Sequence, residues 1–223
     1  MKNPWLGIRQ DNTGRYVLSA DLAVLERKAA CRHVELHEHP APYVGGLNNA
    51  EIILLALNPG FKHGDVERHR AIRGFGAAAL RNAQDPYDST FHILKFPKHG
   101  GFNYWAQKLG YVIDAVGLEA VIERTMLIQY FPYHSKDARG VAHGIPSQQF
   151  TFDLVRQAMG REKLVVIMRS EREWTAPSAV PTLVGKTYYA DNVTVCNSPA
   201  NPTLTPKNLG DEWFDYLINR LAG

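Results

Sequence analysis

Three polar turns carry the residues with the most chemical capacity, and each follows an apolar run. The first, Asn58-Pro59-Gly60-Phe61, ends the stretch Ile52-Ile53-Leu54-Leu55-Ala56-Leu57. The second, Pro132-Tyr133-His134-Ser135, ends Met126-Leu127-Ile128-Gln129-Tyr130-Phe131. The third runs from Asn197 to Thr205, after strand material between Tyr188 and Val195. An asparagine orients and polarises a water through its carbonyl but is not a base at neutral pH, so Asn58 suits hydrolysis with a good leaving group. His134 supplies a hydrogen-bond donor to that leaving group, with Tyr133 and Ser135 as pocket wall. Backbone N–H groups around Gly60 and Phe61 offer a seat for charge developing on an oxygen. The proline rings restrict φ and pre-organise the turns. Gly-x-Gly-x-x-Gly, Gly-x-x-x-x-Gly-Lys-Ser and Gly-x-Ser-x-Gly patterns do not occur. Dinucleotides, nucleoside triphosphates and a serine-elbow nucleophile are therefore disfavoured.

Positioning three such turns together calls for a sheet of strands running the same way. The apolar runs ending at Leu57 and Phe131, joined by Leu164-Val165-Val166-Ile167-Met168, are of the type buried on both faces of a parallel sheet. Helices are expected from Ala20 to Arg32 behind a Ser19 cap, near Ala71–Arg81, from Tyr104 to Leu109, and near Val116–Arg124. Ser147 is expected to cap a further helix through Met159, closed by Gly160, and the last helix spans Asp211 to Leu221. The alternation predicts an α/β fold: a three-layer α/β/α sandwich around a central, mostly parallel sheet of four or five strands, in one domain over 1-223. Ligands of such sheets bind outside the carboxyl ends of the strands, where the three turns converge. The intervening segment, Phe61 to Phe102, is polar and turn-rich, and irregular segments of that length are usually functional. Its basic stretch of Lys62, His63, Arg68, His69, Arg70 and Arg73 suits phosphate contacts.

At this point a resemblance emerges. Leu54-Leu55-Ala56-Leu57-Asn58-Pro59-Gly60 resembles the first motif of the uracil-DNA glycosylase superfamily, especially its mismatch-specific uracil/thymine branch. Phe96-Pro97-Lys98-His99-Gly100-Gly101-Phe102-Asn103-Tyr104-Trp105 resembles that branch's aromatic-Pro segment, and Asn201-Pro202-Thr203-Leu204-Thr205 its duplex-wedging loop. Asn197-Ser198-Pro199 offers a second placement for that loop. The resemblance implies a monofunctional glycosylase that hydrolyses the base–sugar bond of a flipped-out uracil, mismatched or modified pyrimidine, with no metal or organic cofactor. It implies Asn58, His134 and Asn201 as catalytic residues. Pro59, Gly60, Phe61, Phe96, Tyr133 and Ser135 would hold the base, with Phe96 as stacking platform. Lys62, Arg68, Arg70, Arg73, Thr203, Leu204 and Thr205 would contact DNA, Leu204 filling the gap left by the base. The departures fall on substrate choice: the third loop lacks a glycine before Leu204, and the second turn fits no uracil-reading strand. Hydroxymethylated or glucosylated cytosine of phage DNA, the target of anti-phage enzymes resembling this superfamily, is an alternative substrate. A catalytically silent nucleic-acid-binding module and an unrelated α/β hydrolase are alternatives of other classes. Gln84-Asp85-Pro86-Tyr87 repeats the letters of the catalytic turn of the main uracil-DNA glycosylases, but it follows helix-like Ala78–Ala83 rather than a strand. Asn58 is favoured over Asp85 for that reason.

Composition sets the outer bounds. The 223 residues are 45% hydrophobic and 21% charged with a formal net charge of +3, ordinary for a globular chain and permissive of an acidic partner. DNA, duplex or single-stranded, is the expected partner of a monomeric, cytoplasmic protein. The two cysteines, Cys31 and Cys196, are too few for a four-thiolate metal site and read as buried free thiols. Met1-Lys2-Asn3-Pro4-Trp5 lacks the apolar core of a signal peptide, and no apolar run approaches the ~20 residues that span a bilayer.

Overall fold

The computed structural model describes residues 1–27, 33–137, 143–183, 192–198 and 200–223. Residues 28–32 of the expected first helix (with Cys31), the strand expected over 188–191, and Pro199 lie outside them.

Four short apolar segments pair in parallel because each is buried on both sides and none tolerates water: β3 (Ile52–Ala56), β4 (Thr125–Gln129), β6 (Leu164–Ile167) and β7 (Val193–Val195). A two-residue strand, β2 (Tyr43–Val44), adds antiparallel to β4, giving the order β2-β4-β3-β6-β7. A separate ribbon pairs β1 (Val34–Glu35) with β5 (His134–Ser135). Successive strand residues alternate between two apolar clusters. Ile53, Leu55, Met126, Ile128, Val165 and Ile167 join one, and Ile52, Leu54, Leu127, Leu164 and Val166 the other. The first cluster also holds Leu25 of α1 (Ser19–Leu25) and the inner face of α7 (Gln148–Gly160). The second takes residues of α4 (Gly100–Lys108), α5 (Gly110–Val116), α6 (Leu118–Arg124), α9 (Pro206–Leu209) and α10 (Asp211–Ala222). A mixed α/β fold around a mostly parallel five-stranded sheet is thus as expected, and no helix among the described residues is long and apolar enough to cross a membrane.

The segment between Phe61 and Phe102 departs from expectation in part: the helical stretch expected near Ala71–Arg81 is present, and a further helix and a 3-10 turn flank it. It holds two helices, α2 (Asp65–Ala71) and α3 (Phe75–Gln84), and a 3-10 turn over His92–Lys95, before α4 opens at Gly100. Gly64 and Gly74 sit just before α2 and α3 at φ of 82° and 83°, left-handed positions that glycine occupies without strain. α2 hides from periodicity analysis because its buried positions are Asp65, Val66 and His69, two of them polar. Three capping expectations are also corrected. α1 starts at Ser19 itself, behind Leu18 and without a side-chain cap. Ser147 precedes α7 without a side-chain cap; Gln148 Oε1 instead accepts from Gly144 N and Ile145 N at 2.8 and 3.0 Å. Gly160 is the last helical residue, and the left-handed turn falls on Glu162 at φ 54°. α8 (Glu171–Trp174) completes the helices, its Trp174 Nε1 donating to Ala56 O at 3.2 Å from inside the first cluster.

Candidate active site

Ala56 and Gln129 pair at the end of the β3–β4 register. Beyond them Tyr130 N and Phe131 N still donate to the carbonyls of Ala56 and Leu57, at 2.9 and 2.8 Å, so both chains leave the sheet together. A cavity of about 530 Å3 opens at this point, within the ~300–1,000 Å3 of small-ligand sites. β5 holds the Asn58 turn in place: Ser135 N donates to Pro59 O at 3.1 Å, and Gly60 and Ser135 form a bridge. Asn58 Nδ2 donates to Ser135 Oγ at 2.9 Å and to Pro59 O at 3.2 Å, and Ser135 Oγ donates onward to Asp137 O at 2.8 Å. The amide NH2 is thereby fixed on the Ser135 side, and Asn58 Oδ1 accepts no hydrogen bond among the described residues. That is the oxygen an oriented water needs. His134 Nδ1 donates to Gly60 O at 3.0 Å, so the neutral ring presents its Nε2 lone pair. Burial lowers the His134 pKa, against the opposing pull of Glu38 and the Gly60 carbonyl. The expected donor is therefore, in its neutral form, an acceptor.

The opposite wall is a network absent from the sequence reading. Glu38 is 3% exposed and accepts from His39 Nδ1 at 3.0 Å and His69 Nδ1 at 2.8 Å. Burial alone would raise its pKa, but these bonds and nearby His134 hold it well below the usual carboxylate range. His69 stacks on His99 at 3.9 Å between ring centroids, and His99 stacks on Phe75 at 4.2 Å. His99 Nδ1 accepts from Gly101 N at 3.0 Å, a fit that needs glycine, since a Cβ there would lie 2.9 Å from that nitrogen. Among the described residues His69 Nε2, His99 Nε2, Gln129 Oε1 and Arg169 Nε are buried without a hydrogen-bond partner, and all four residues line the cavity. An unpaired buried polar atom costs about 1–3 kcal/mol, so this concentration marks a place built for a polar guest. Among the described residues no group of three or more His, Cys, Asp or Glu could hold a metal ion.

Of the residues read from the sequence as the site, the cavity brings together Asn58, Pro59, Gly60, Phe61, Lys62, Arg68, His134 and Ser135. Others go elsewhere. Tyr133 is 0% exposed in the first cluster, its hydroxyl donating to Asp21 Oδ2 at 2.7 Å, so it cannot form pocket wall. Phe96 packs edge-on behind Phe75 at 5.5 Å, and Phe75 takes the wall position instead. Arg70 and Arg73 line a separate open depression beside Tyr16 and His37. His69, grouped with them as a phosphate-facing cation, is 4% exposed and bonded to Glu38. The third turn closes on itself: Asn201 Oδ1 takes Lys108 Nζ, Asn208 Nδ2 donates to the Asn201 and Thr203 carbonyls at 3.1 and 2.8 Å, and Thr205 Oγ1 accepts from Asn208 N at 3.2 Å. None of Asn201, Thr203, Leu204 and Thr205 lines the cavity. Leu204 is 1% exposed in the second cluster, which removes it from any surface that could wedge a duplex. Leu204→Ala is expected to destabilise the fold by about 2–5 kcal/mol in urea titrations, as a cavity mutation does. Asp85 is a turn cap, accepting from Tyr87 N and Asp88 N at 3.0 and 3.1 Å.

Glu38, His39, Phe75, His92 and Gln129 were missed because no motif or period marks them, and His69 and His99 entered the sequence reading only within the basic stretch and the Phe96–Trp105 segment, not as pocket wall. The available signal was compositional: five of the nine histidines line this one cavity. The buried histidines predict a pH dependence. Burial, and then His69 and His134, push His99 down to about 3, and burial with His39 and Lys95 pushes His92 down to about 4, from an ordinary 6.5. The unfolded chain therefore binds more protons below pH 6.5, and stability falls on acidification through that window. Asp21, raised by burial, opposes this, and Glu38, held low, adds to it below its ordinary 4.5. Tm is expected to drop between pH 6.5 and 4, and His99→Phe to flatten that slope; a flat wild-type profile would contradict the buried neutral rings.

No family model matches the chain, no curated protein matches it, and no solved structure matches it.

Proposed function

We propose that this chain is a monofunctional DNA base glycosylase, working as a cytoplasmic monomer on a three-layer α/β/α sandwich. The observation that carries the reading is the Asn58 turn. Its amide nitrogen is committed to Ser135 and Pro59, and its carbonyl oxygen accepts no hydrogen bond among the described residues, on the wall of a base-sized-or-larger cavity at the strands' carboxyl ends. In the reaction, a water oriented by Asn58 Oδ1 adds to the sugar carbon as the base–sugar bond breaks, the base leaves with the bonding electrons, and the proton that the added water sheds passes through solvent to the departing base. Phe61, Phe75, Tyr104 and Trp105 give the cavity aromatic surface for an extruded base. Lys62, Arg68 and Arg169 at its wall supply positive charge for the phosphodiester.

A second reading concerns the substrate. The same wall carries Glu38, Asp65, His69 and Gln129 behind the turn, and among the described residues His69 Nε2 and Gln129 Oε1 have no hydrogen-bond partner. This favours a pyrimidine with a polar substituent, hydroxymethylated or glucosylated cytosine among them.

The test is alkali-sensitive cleavage over DNAs bearing uracil, a thymine mismatch, hypoxanthine, hydroxymethylcytosine or glucosylated hydroxymethylcytosine. Abasic product on at least one is expected, with Asp85→Ala matching wild type. Salt-dependent DNA binding with no product on any substrate would replace this reading with a silent binding module.

A further inference from the structure

We propose that the stacked His69–His99 pair reads a planar polar edge of the guest, His99 Nε2–H donating to a carbonyl or ring-nitrogen acceptor and His69 Nε2 accepting from an adjacent N–H. The assignment rests on the glycosylase reading for the guest being a nucleobase; the donor and acceptor roles follow from the protein alone.

Those roles are fixed from outside the cavity. Glu38 is ionised and has only lone pairs to offer, so His69 Nδ1 must carry the proton shared with Oε2 at 2.8 Å. With a single proton on the ring, that placement leaves the His69 lone pair at Nε2. His99 is fixed the other way, because its Nδ1 accepts the Gly101 amide proton at 3.0 Å. Its own proton sits on Nε2, in a ring that burial keeps neutral. The two rings lie 3.9 Å apart between centroids at an interplanar angle of 28°, which brings both rings to one place on the cavity wall. Neither nitrogen has a hydrogen-bond partner among the described residues, both rings line the cavity, and Phe75 and Glu38 pack or bond against them. A lactam (–NH–C=O) or an amidine (–C(NH2)=N–) is the complement, and pyrimidine bases carry one or the other on the edge opposite the sugar.

The experiment is a long-range 1H–15N spectrum of the imidazoles of the full chain, titrated with 1-methyluracil, 1-methylcytosine and 1,3-dimethyluracil. Expected without ligand are the Nε2–H tautomer at His99 and the Nδ1–H tautomer at His69. Expected with ligand are shifts of both Nε2 resonances for the two edge-bearing compounds and none for 1,3-dimethyluracil, whose N–H is methylated. His99→Phe, which preserves the stack, is expected to bind 1-methyluracil about tenfold more weakly, the loss of one good hydrogen bond. Reversed tautomers, unmoved Nε2 resonances with both edge-bearing compounds, or equal shifts with 1,3-dimethyluracil overturn the assignment. Edge-selective shifts from a protein that makes no abasic product would sustain it and overturn the glycosylase reading alone.

Discussion

Asn58→Ala is expected to slow base release by about 100- to 10,000-fold, the range that a positioned proton-transfer or water-orienting group contributes. The side chain is partly buried and donates to Pro59 O and Ser135 Oγ, so Tm should move by no more than about 4 °C. Single-turnover cleavage and a thermal melt on the same preparation separate the two effects. Ser135→Ala serves as the partner experiment. It removes the oxygen that accepts from Asn58 Nδ2 at 2.9 Å, freeing the amide to rotate, and is expected to lower the rate without abolishing it. Asn58→Asp puts a true base at the same position, and activity retained or raised in that variant would fit a water-activating role. Full activity in Asn58→Ala would move the chemistry away from this turn.

The second large effect is expected at Glu38. Glu38→Ala strands His39 and His69 in a region from which water is excluded and should destabilise the fold by about 3–5 kcal/mol, as breaking a buried charged network does. Glu38→Gln preserves volume but exchanges one accepting oxygen for an NH2. At most one of the two histidines then retains its bond, and the loss should be smaller, about 1–3 kcal/mol. Urea midpoints at constant m-value read both numbers. A change under about 1 kcal/mol in Glu38→Ala would mean that the carboxylate does not hold the two rings. Activity should fall with both variants, since His69 loses the partner that sets its tautomer.

The pattern of agreement follows from where information sits along the chain. Continuous apolar runs such as Ile52–Leu57 and Leu164–Met168 can be satisfied only by burial on both faces, so the mostly parallel sheet was legible before any coordinates. The Asn58-Pro59-Gly60 turn was legible too, because a polar proline-fixed turn at a buried strand's end has few places to go. The resemblance drew attention to Phe96, Asn201 and Leu204 by their letters, and the fold uses them differently: edge packing against Phe75, a loop closure with Lys108, and core.

What the sequence by itself determined is therefore the local and the periodic: the four parallel strands, most helices, and the turn that presents Asn58. What only the tertiary structure decided is the other wall of the site. Glu38 and His69 lie 31 positions apart and are joined by a 2.8 Å bond, and His99 reaches the stack from a third segment. No spacing rule encodes such contacts, because burial turns a solvent-facing charge into a held one only after distant segments have excluded the water between them.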